Sequence, residues 1–242
     1  MAKLAGEELR DVPYYGILET KVGGADCVIS QTGFTGEKGY EIYVRNAHEN
    51  AEKMWNAVLE AGEEFGLMVI APAHHRRIAA GILSWGQDLD HETSPFQVNL
   101  SYQVPRNKAA DYIGKEELEK QRAIIDEGKA PFKMKMVGLT LGGKEITDYA
   151  PDFWLVTDTD GNEVGYVTSP WWSPELETNI ALAWVPWESS EVGTKFMVKL
   201  PDEYSESPGV PVDAKVVDVP FRESVNPNKR EVQASKGLDY AD

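Results

Sequence analysis

The sequence contains little cysteine, little positive charge and no long apolar run. Cys27 is the only cysteine among 242 residues, which excludes an internal disulfide and a multi-thiolate metal site within one chain. Lys and Arg number 24 against 40 Asp and Glu, so the formal net charge is −16. A surface this acidic repels phosphate backbones and anionic lipids, so we expect neither a nucleic acid nor a membrane as a partner.

No apolar stretch approaches the roughly 18 residues that a membrane-spanning helix needs. The N-terminal residues 1–16 carry acidic side chains and lack an apolar core, which is not the pattern of a secretory signal. Together with the single cysteine, this makes the reducing cytoplasm the expected location. The composition, 42% hydrophobic and 10% aromatic, is typical of a globular protein and excludes disorder of the whole chain.

Common catalytic and metal-binding motifs are also missing from the sequence. His74 and His75 are adjacent, and the other two histidines lack partners at ligand spacing, so we expect no metal site. The sequence has no G-x-S-x-G, G-x-G-x-x-G or Walker motif. Cys27 falls within an alternating segment, where a buried, unreactive thiol is the default. No catalytic residue is therefore assigned.

The periodicity predicts an α+β fold in which a mixed or antiparallel sheet packs against helices and a small antiparallel β-barrel follows. We expect strands at 15–22, 27–32 and 40–44, a helix ending at Gly66, a short strand at Val69 and Ile70, and helices at 72–82 and 114–126. Six strand-like runs follow between residues 135 and 219. The predicted domains are 1–126 and 127–231, with a loose tail at 232–242.

One loop and strand, residues 32–41, could carry a ligand site. Its glycines allow the backbone to turn sharply, and Phe34 offers a flat apolar face. Alternation along residues 40–44 places Glu41 and Tyr43 on the face opposite the core-facing Ile42. A carboxylate held beside an aromatic ring suits a planar heterocycle that donates two parallel N–H bonds. From these residues alone, a turn with a solvated glutamate is the favoured alternative.

Four runs in the same order resemble the tetrahydrofolate-dependent aminomethyltransferase family, typified by the glycine cleavage T-protein. They are TGFTGEKGYEIY (32–43), RIAAGILSWGQDLD (77–90), YIGKEEL (112–118) and GYVTSPWWSPELETNIALA (165–183). Within the family, the sequences beginning at Val69 and Trp85 are nearer to the O- or S-demethylating branch, such as the dimethylsulfoniopropionate demethylases.

The resemblance implies a one-carbon transferase or demethylase in which N5 of tetrahydrofolate accepts the carbon from a small-molecule amine, sulfonium or ether donor. Glu41 would then bind the pterin donors, and Phe34 would stack where the family has Tyr. Arg77 would pair with a carboxylate of the ligand or of the protein. Trp85 would either wall the pocket or fill the core, and Trp171 would cover the ligand or lie at the barrel rim.

Complete enzymes of this family carry a further portion before the region that this chain resembles, so the match covers only their C-terminal two thirds. Two classes of function follow. The chain is either a transferase that works with an N-terminal partner subunit, or a non-catalytic folate-binding or assembly module. Self-association is the other expected use of a surface that the N-terminal portion would otherwise cover.

Overall fold

The computed structural model describes residues 1–72, 74–106 and 108–222. Contacts between residues divide the chain into two compact units, and the second unit begins at His74. The predicted division at residues 126 and 127 stays a prediction. The tail predicted at 232–242 lies outside the described residues.

The first unit is a small antiparallel sheet with a helix on one face. Its strands are β1 (Ile17–Val22), β2 (Ala25–Ser30) and β3 (Glu41–Val44), in the order β1-β2-β3. Helix α1 (Ala2–Ala5) and a 3-10 turn (Glu7–Asp11) precede them, and helix α2 (Ala47–Glu63) follows. Gly23 and Gly24 both have positive φ, which most side chains disfavour, and this explains the glycine pair in the hairpin between β1 and β2.

The core of the first unit lies between α2 and one face of the sheet. It contains Val22, Ala25, Cys27 and Ile29, with Met54 and Val58 of α2 packed against them. Cys27 is buried, as predicted, and burial raises the pKa of its thiol. The other face of the sheet carries the exposed side chains of β1 and β3.

The second unit is built on a closed six-stranded antiparallel barrel. The strands are β4 (Met134–Leu141), β5 (Trp154–Thr157), β6 (Glu163–Ser173), β7 (Thr178–Pro186), β8 (Lys195–Val198) and β9 (Val212–Val217). They close in the order β4-β7-β6-β5-β8-β9. Closure leaves no free sheet edge. Together with the first unit, the barrel confirms the predicted α+β class.

Helices α3 (His74–Ala79) and α4 (Lys115–Asp126) precede the barrel in the second unit. A short 3-10 turn lies between these helices at Ser101–Gln103, and another lies between β7 and β8 at Trp187–Ser189. A second buried cluster joins Ile78 and Ala79 of α3 to Ile180, Leu182 and Trp184 on β7. Helix α3 is therefore anchored on the outside of the barrel wall.

One predicted strand is wrong. Val69 and Ile70 belong to no strand in the structure, and both are exposed. A strand needs a neighbour to accept and donate its backbone hydrogen bonds, and the described residues provide none for this segment. The helix predicted at 72–82 also begins later and ends earlier than expected, at His74 and Ala79.

Candidate functional site

Strand β3 presents Glu41 on the open face of the sheet in the first unit. Glu41 and Tyr43 are exposed, whereas Ile42 and Val44 are half-buried and pack against the core of the unit. This alternation follows from the two-residue period of a strand. The predicted orientation of Glu41 relative to Ile42 is therefore confirmed.

Two hydroxyl groups hold the Glu41 carboxylate in place, and a third is hydrogen-bonded to one of them. The hydroxyls of Thr32 and Tyr43 both donate to Glu41 Oε2, the second over 3.0 Å. Because the Thr32 hydroxyl donates its single proton to Glu41, it accepts from the Ser30 hydroxyl in the 2.9 Å bond that joins the two. Ser30 lies opposite Glu41 in the register of β2 and β3. A relay of hydroxyls therefore runs from Ser30 through Thr32 to the carboxylate.

The second oxygen of Glu41, Oε1, has no hydrogen-bond partner among the residues that the structure describes. A carboxylate has about four lone-pair positions, and the two hydroxyls occupy two of them on Oε2. The carboxylate also raises the pKa of Tyr43, chiefly through their hydrogen bond, so the phenol stays protonated and continues to donate. Glu41 is thus oriented and still able to accept donors from a ligand.

Apolar and aromatic side chains surround Glu41 on the same face. Ile17 is aligned with Ser30 and Glu41, and Val28 is aligned with Tyr43. Phe34, in the preceding loop, has 49% of its surface exposed. The ion pair of Lys21 with Asp26 lies at the opposite end of this face. A second pair joins Arg45 to Glu19, and Glu19 lies in the middle of the face, aligned with Val28 and Tyr43. One end of the sheet face therefore combines a carboxylate with apolar surface.

Arg77, in the second unit, is 1% exposed and pairs with a carboxylate of the protein. Its Nη1 donates to Asp88 Oδ2 over 2.7 Å and to the Ile82 carbonyl over 3.2 Å. Nη2 donates to Ser169 Oγ over 2.7 Å and to Gln87 Oε1 over 3.3 Å. Of the two partners expected for Arg77, the structure therefore identifies the protein carboxylate. A role for Arg77 in ligand binding stays a prediction.

Asp88 is the centre of this buried network. Its Oδ2 accepts from Arg77 and from the Ser84 backbone N–H, and its Oδ1 accepts from the hydroxyls of Thr168 and Ser169 over 2.6 Å each. Four donors satisfy the whole acceptor capacity of the carboxylate. The network ties α3 and the turn at residues 84–88 to strand β6, which gives it a structural function.

Trp85 and Trp171 have different surroundings in the second unit. Trp85 is 68% exposed, which excludes the core-filling alternative. Trp171 lies on β6 and stacks on His74, with ring centroids 5.2 Å apart and planes 29° apart. Tyr149 also lies beside His74, with ring centroids 5.5 Å apart and planes 54° apart. Ligand contacts of both tryptophans stay predictions.

The surroundings of His74 favour its neutral form. Burial lowers its pKa most, and the positive charge of Arg77 lowers it further, while Asp88 opposes the shift. Arg77 Nε lies 3.5 Å from His74 Nδ1, the outer limit of a hydrogen bond in which Nδ1 accepts.

The five predicted site residues fall into two groups. Glu41 and Phe34 belong to the first unit, and Arg77, Trp85 and Trp171 belong to the second. Sequence analysis missed Thr32 and Tyr43 as partners of Glu41, although strand alternation already placed Tyr43 on the same face. It also missed Asp88, for which no local pattern could have indicated a partner about 80 residues away.

Two further observations concern metal ligands and membrane-spanning helices among the described residues. Within 1–72, 74–106 and 108–222, no three His, Cys, Asp or Glu side chains come together as metal ligands would. In the same part of the chain, every helix is too short or too polar to cross a bilayer.

Two family descriptions match the chain in succession. Residues 1–108 match the GCVT N-terminal domain, and residues 135–222 match the glycine cleavage T-protein C-terminal barrel domain. The second range contains the closed barrel described above. The first match contains the described residues of the first unit and the beginning of the second, and residues 109–134, which include α4, lie between the two matches.

Curated relatives and a solved structure agree with these matches. An aminomethyltransferase from a Geobacillus species is 33% identical over 224 residues, which cover 91% of this chain and 56% of the relative. One from Caldanaerobacter subterraneus is 31% identical, with 91% and 54% covered. The crystal structure of the glycine cleavage system aminomethyltransferase T from Bartonella henselae superimposes with a TM-score of 0.67 at 23% identity, with 89% of this chain and 54% of that one covered.

The chain spans about half the length of the curated relatives that it matches. The solved structure, at its low identity, supports the fold alone. The two successive domain matches and the closed C-terminal barrel place this chain in the glycine cleavage T-protein family.

Proposed function

We propose that the first unit binds the pterin ring of tetrahydrofolate through Glu41, and that the chain takes part in tetrahydrofolate-dependent aminomethyl transfer. The observation that carries the proposal is the oriented carboxylate on an open sheet face, with Oε1 available to a ligand. A pterin edge offers a ring N–H beside an amino group, and this pair of donors suits a carboxylate.

The residues around Glu41 fit such a ligand. Phe34 provides an exposed ring on which a flat heterocycle can stack, and Ile17 and Val28 add apolar surface on the same face. The hydroxyls of Thr32 and Tyr43 limit the rotation of the carboxylate before the ligand arrives, which lowers the entropy cost of binding.

Tetrahydrofolate, when bound, supplies N5 as the acceptor of the one-carbon unit. The contribution of this chain would be to bind and orient the pterin, so that the donor and acceptor are held together rather than meeting by diffusion. The matched relatives are aminomethyltransferases, which supports an amine donor over the sulfonium or ether donor of the demethylating branch.

Isothermal titration with tetrahydrofolate tests the pterin site. We expect the chain to bind, and Glu41→Gln to weaken binding by about 1–3 kcal/mol, because one charge-assisted pair is impaired. The matched control is Glu19→Gln, the same change on the same sheet face, where the side chain pairs with Arg45 at the surface. The control should bind as the unaltered chain does.

Absence of binding by the unaltered chain would overturn the proposal, and so would equal affinities of the Glu41→Gln and Glu19→Gln variants. A turnover assay then separates the two classes of function. Transfer of the one-carbon unit to tetrahydrofolate supports a transferase. Binding without turnover, with or without an added polypeptide from the longer relatives, supports a non-catalytic folate-binding module.

A further inference from the structure

The outer wall of the barrel carries a row of three aromatic side chains. Trp184 on β7 is aligned with Tyr166 on β6, and Phe153, directly before β5, stacks on Tyr166 with ring centroids 5.2 Å apart and planes 18° apart. Val167, which follows Tyr166, and Ala183, which precedes Trp184, belong to the barrel core. The two-residue period of a strand therefore directs Tyr166 and Trp184 outward.

These three rings form one side of a cleft of about 140 Å³ in the second unit. The turn at residues 86–90 and Thr93 form the other side. Phe153 is 56% exposed and Tyr166 is 37% exposed, so part of the stacked pair is open to a ligand. An apolar cavity of about 150 Å³ holds benzene, and this cleft therefore admits a compact group of about that size.

Asp90 gives the cleft a negative charge. Its Oδ1 accepts from Glu92 N–H over 2.9 Å and from the Thr93 hydroxyl over 3.1 Å, and these bonds lower the pKa of Asp90, so that it stays ionised. Asp88, which also lines the cleft, is already paired with Arg77. None of the described residues that line the cleft is a lysine or an arginine. The charge of Asp90 therefore has no cation beside it within the cleft.

Few hydrogen-bond acceptors remain for a ligand. Among the described residues, Asp90 Oδ2 and the Tyr166 hydroxyl take part in no hydrogen bond, and the two side chains are close enough for Asp90 to raise the pKa of Tyr166, after the larger effect of burial. A primary ammonium group has three donors and a guanidinium five, and a bidentate guanidinium pair needs both carboxylate oxygens. A quaternary ammonium group has no N–H donor and requires only negative charge and aromatic surface.

We propose that this cleft binds the quaternary ammonium group of a small molecule, with its methyl groups against Phe153 and Tyr166 and its charge balanced by Asp90. The formal net charge of −16 favours the approach of any cation. The proposal is independent of the pterin site, because every residue of the cleft belongs to the second unit and its test does not measure folate binding.

A nuclear magnetic resonance titration with choline tests the cleft. The signals to follow are the ring protons of Phe153 and Tyr166 and the indole N–H of Trp184, and we expect them to shift to saturation. The matched probe is 3,3-dimethyl-1-butanol, which has the shape of choline but carries carbon in place of the charged nitrogen. It should bind at least about tenfold more weakly, because it lacks the charge that a cation–π contact and Asp90 recognise.

Two variants separate the contributions of charge and aromatic surface. Asp90→Asn keeps the acceptor oxygen of the turn and removes the charge, and Phe153→Leu removes the exposed ring. Each should raise the dissociation constant of choline by about tenfold, which corresponds to about 1.4 kcal/mol and lies within the range of a cation–π contact. The matched control is Asp202→Asn, at an exposed residue of the second unit outside the cleft, and it should bind choline as the unaltered chain does.

Absence of a saturable shift would overturn the proposal, and so would equal affinities for choline and its neutral analogue. An Asp90→Asn variant that binds choline as tightly as Asp202→Asn would overturn it as well. Methylammonium and methylguanidinium are the remaining probes. Tighter binding of either one than of choline would identify a lysine or arginine side chain as the ligand of the cleft, which would also contradict the assignment to a quaternary ammonium group.

Discussion

Replacing Arg77 with methionine would leave the Asp88 carboxylate buried without its counter-charge. The two side chains are 1% and 0% exposed, and their atoms lie 2.7 Å apart. The three donors that remain, Ser84 N–H and the hydroxyls of Thr168 and Ser169, are neutral. Methionine keeps much of the volume of the arginine stem, so the change acts mainly on charge and hydrogen bonding.

Breaking a buried ion pair by removing one partner costs about 3–5 kcal/mol, because an uncompensated charge stays out of water. A typical domain has a free energy of unfolding of about 5–15 kcal/mol, so the second unit should remain folded but with a small margin. For a urea dependence of about 2 kcal/mol per molar, the midpoint of unfolding should fall by about 2 M.

Tryptophan fluorescence during urea unfolding measures this loss in the second unit. Six of the seven tryptophans belong to that unit, and Trp55→Phe removes the one that does not. The control is Arg106→Met, which breaks an exposed pair with Asp126 through bonds of 2.7 and 2.9 Å. An exposed pair contributes at most about 1 kcal/mol, so its midpoint should shift little.

The double variant Arg77→Met with Asp88→Leu completes the test. Because it removes both charges, it should be more stable than the sum of the two single losses predicts. Strictly additive losses, or a midpoint for Arg77→Met that matches the one for Arg106→Met, would refute the buried pair described above.

Two further predictions concern the second unit. The pKa of His74 is lowered in the folded state by burial and by Arg77. The unfolded chain therefore binds more protons below the unfolded pKa of about 6.5, and stability should fall as the pH decreases from there through the folded pKa. Melting temperatures between pH 7 and 5 should show this loss and His74→Gln should reduce it, whereas an unchanged pH dependence in the variant would contradict it. A Cβ at Gly165 would lie 2.1 Å from the Trp184 carbonyl oxygen on β7, so Gly165→Ala should lower the melting temperature by several degrees. At Gly161 a Cβ meets nothing within 4 Å, so Gly161→Ala should lower the melting temperature less, despite the positive φ of that residue.

Several parts of the fold could be predicted because they depend on local pattern. The alternation of residues 40–44 placed Glu41 and Tyr43 on one face of β3, and the structure shows the two side chains hydrogen-bonded. Helical spacing predicted α2 and α4, and short alternating runs separated by turn residues predicted the barrel. Each inference used only the two- or 3.6-residue period of the backbone.

The failed strand at Val69 and Ile70 shows the limit of such inference. Side chains of this type favour a strand, but a strand exists only when another strand pairs with it. Trp85 illustrates the same limit, since its local sequence did not distinguish a core position from the exposed one that it occupies.

The sequence by itself determined the class of the fold, the orientation of Glu41 on its strand and the resemblance to the aminomethyltransferase family, because periodicity and motif order are properties of neighbouring residues. Only the tertiary structure decided that Arg77 pairs with Asp88 and that Asp88 accepts from Thr168 and Ser169, 80 and 81 residues further along the chain. Those contacts depend on how α3 packs against the closed barrel, which no local pattern specifies.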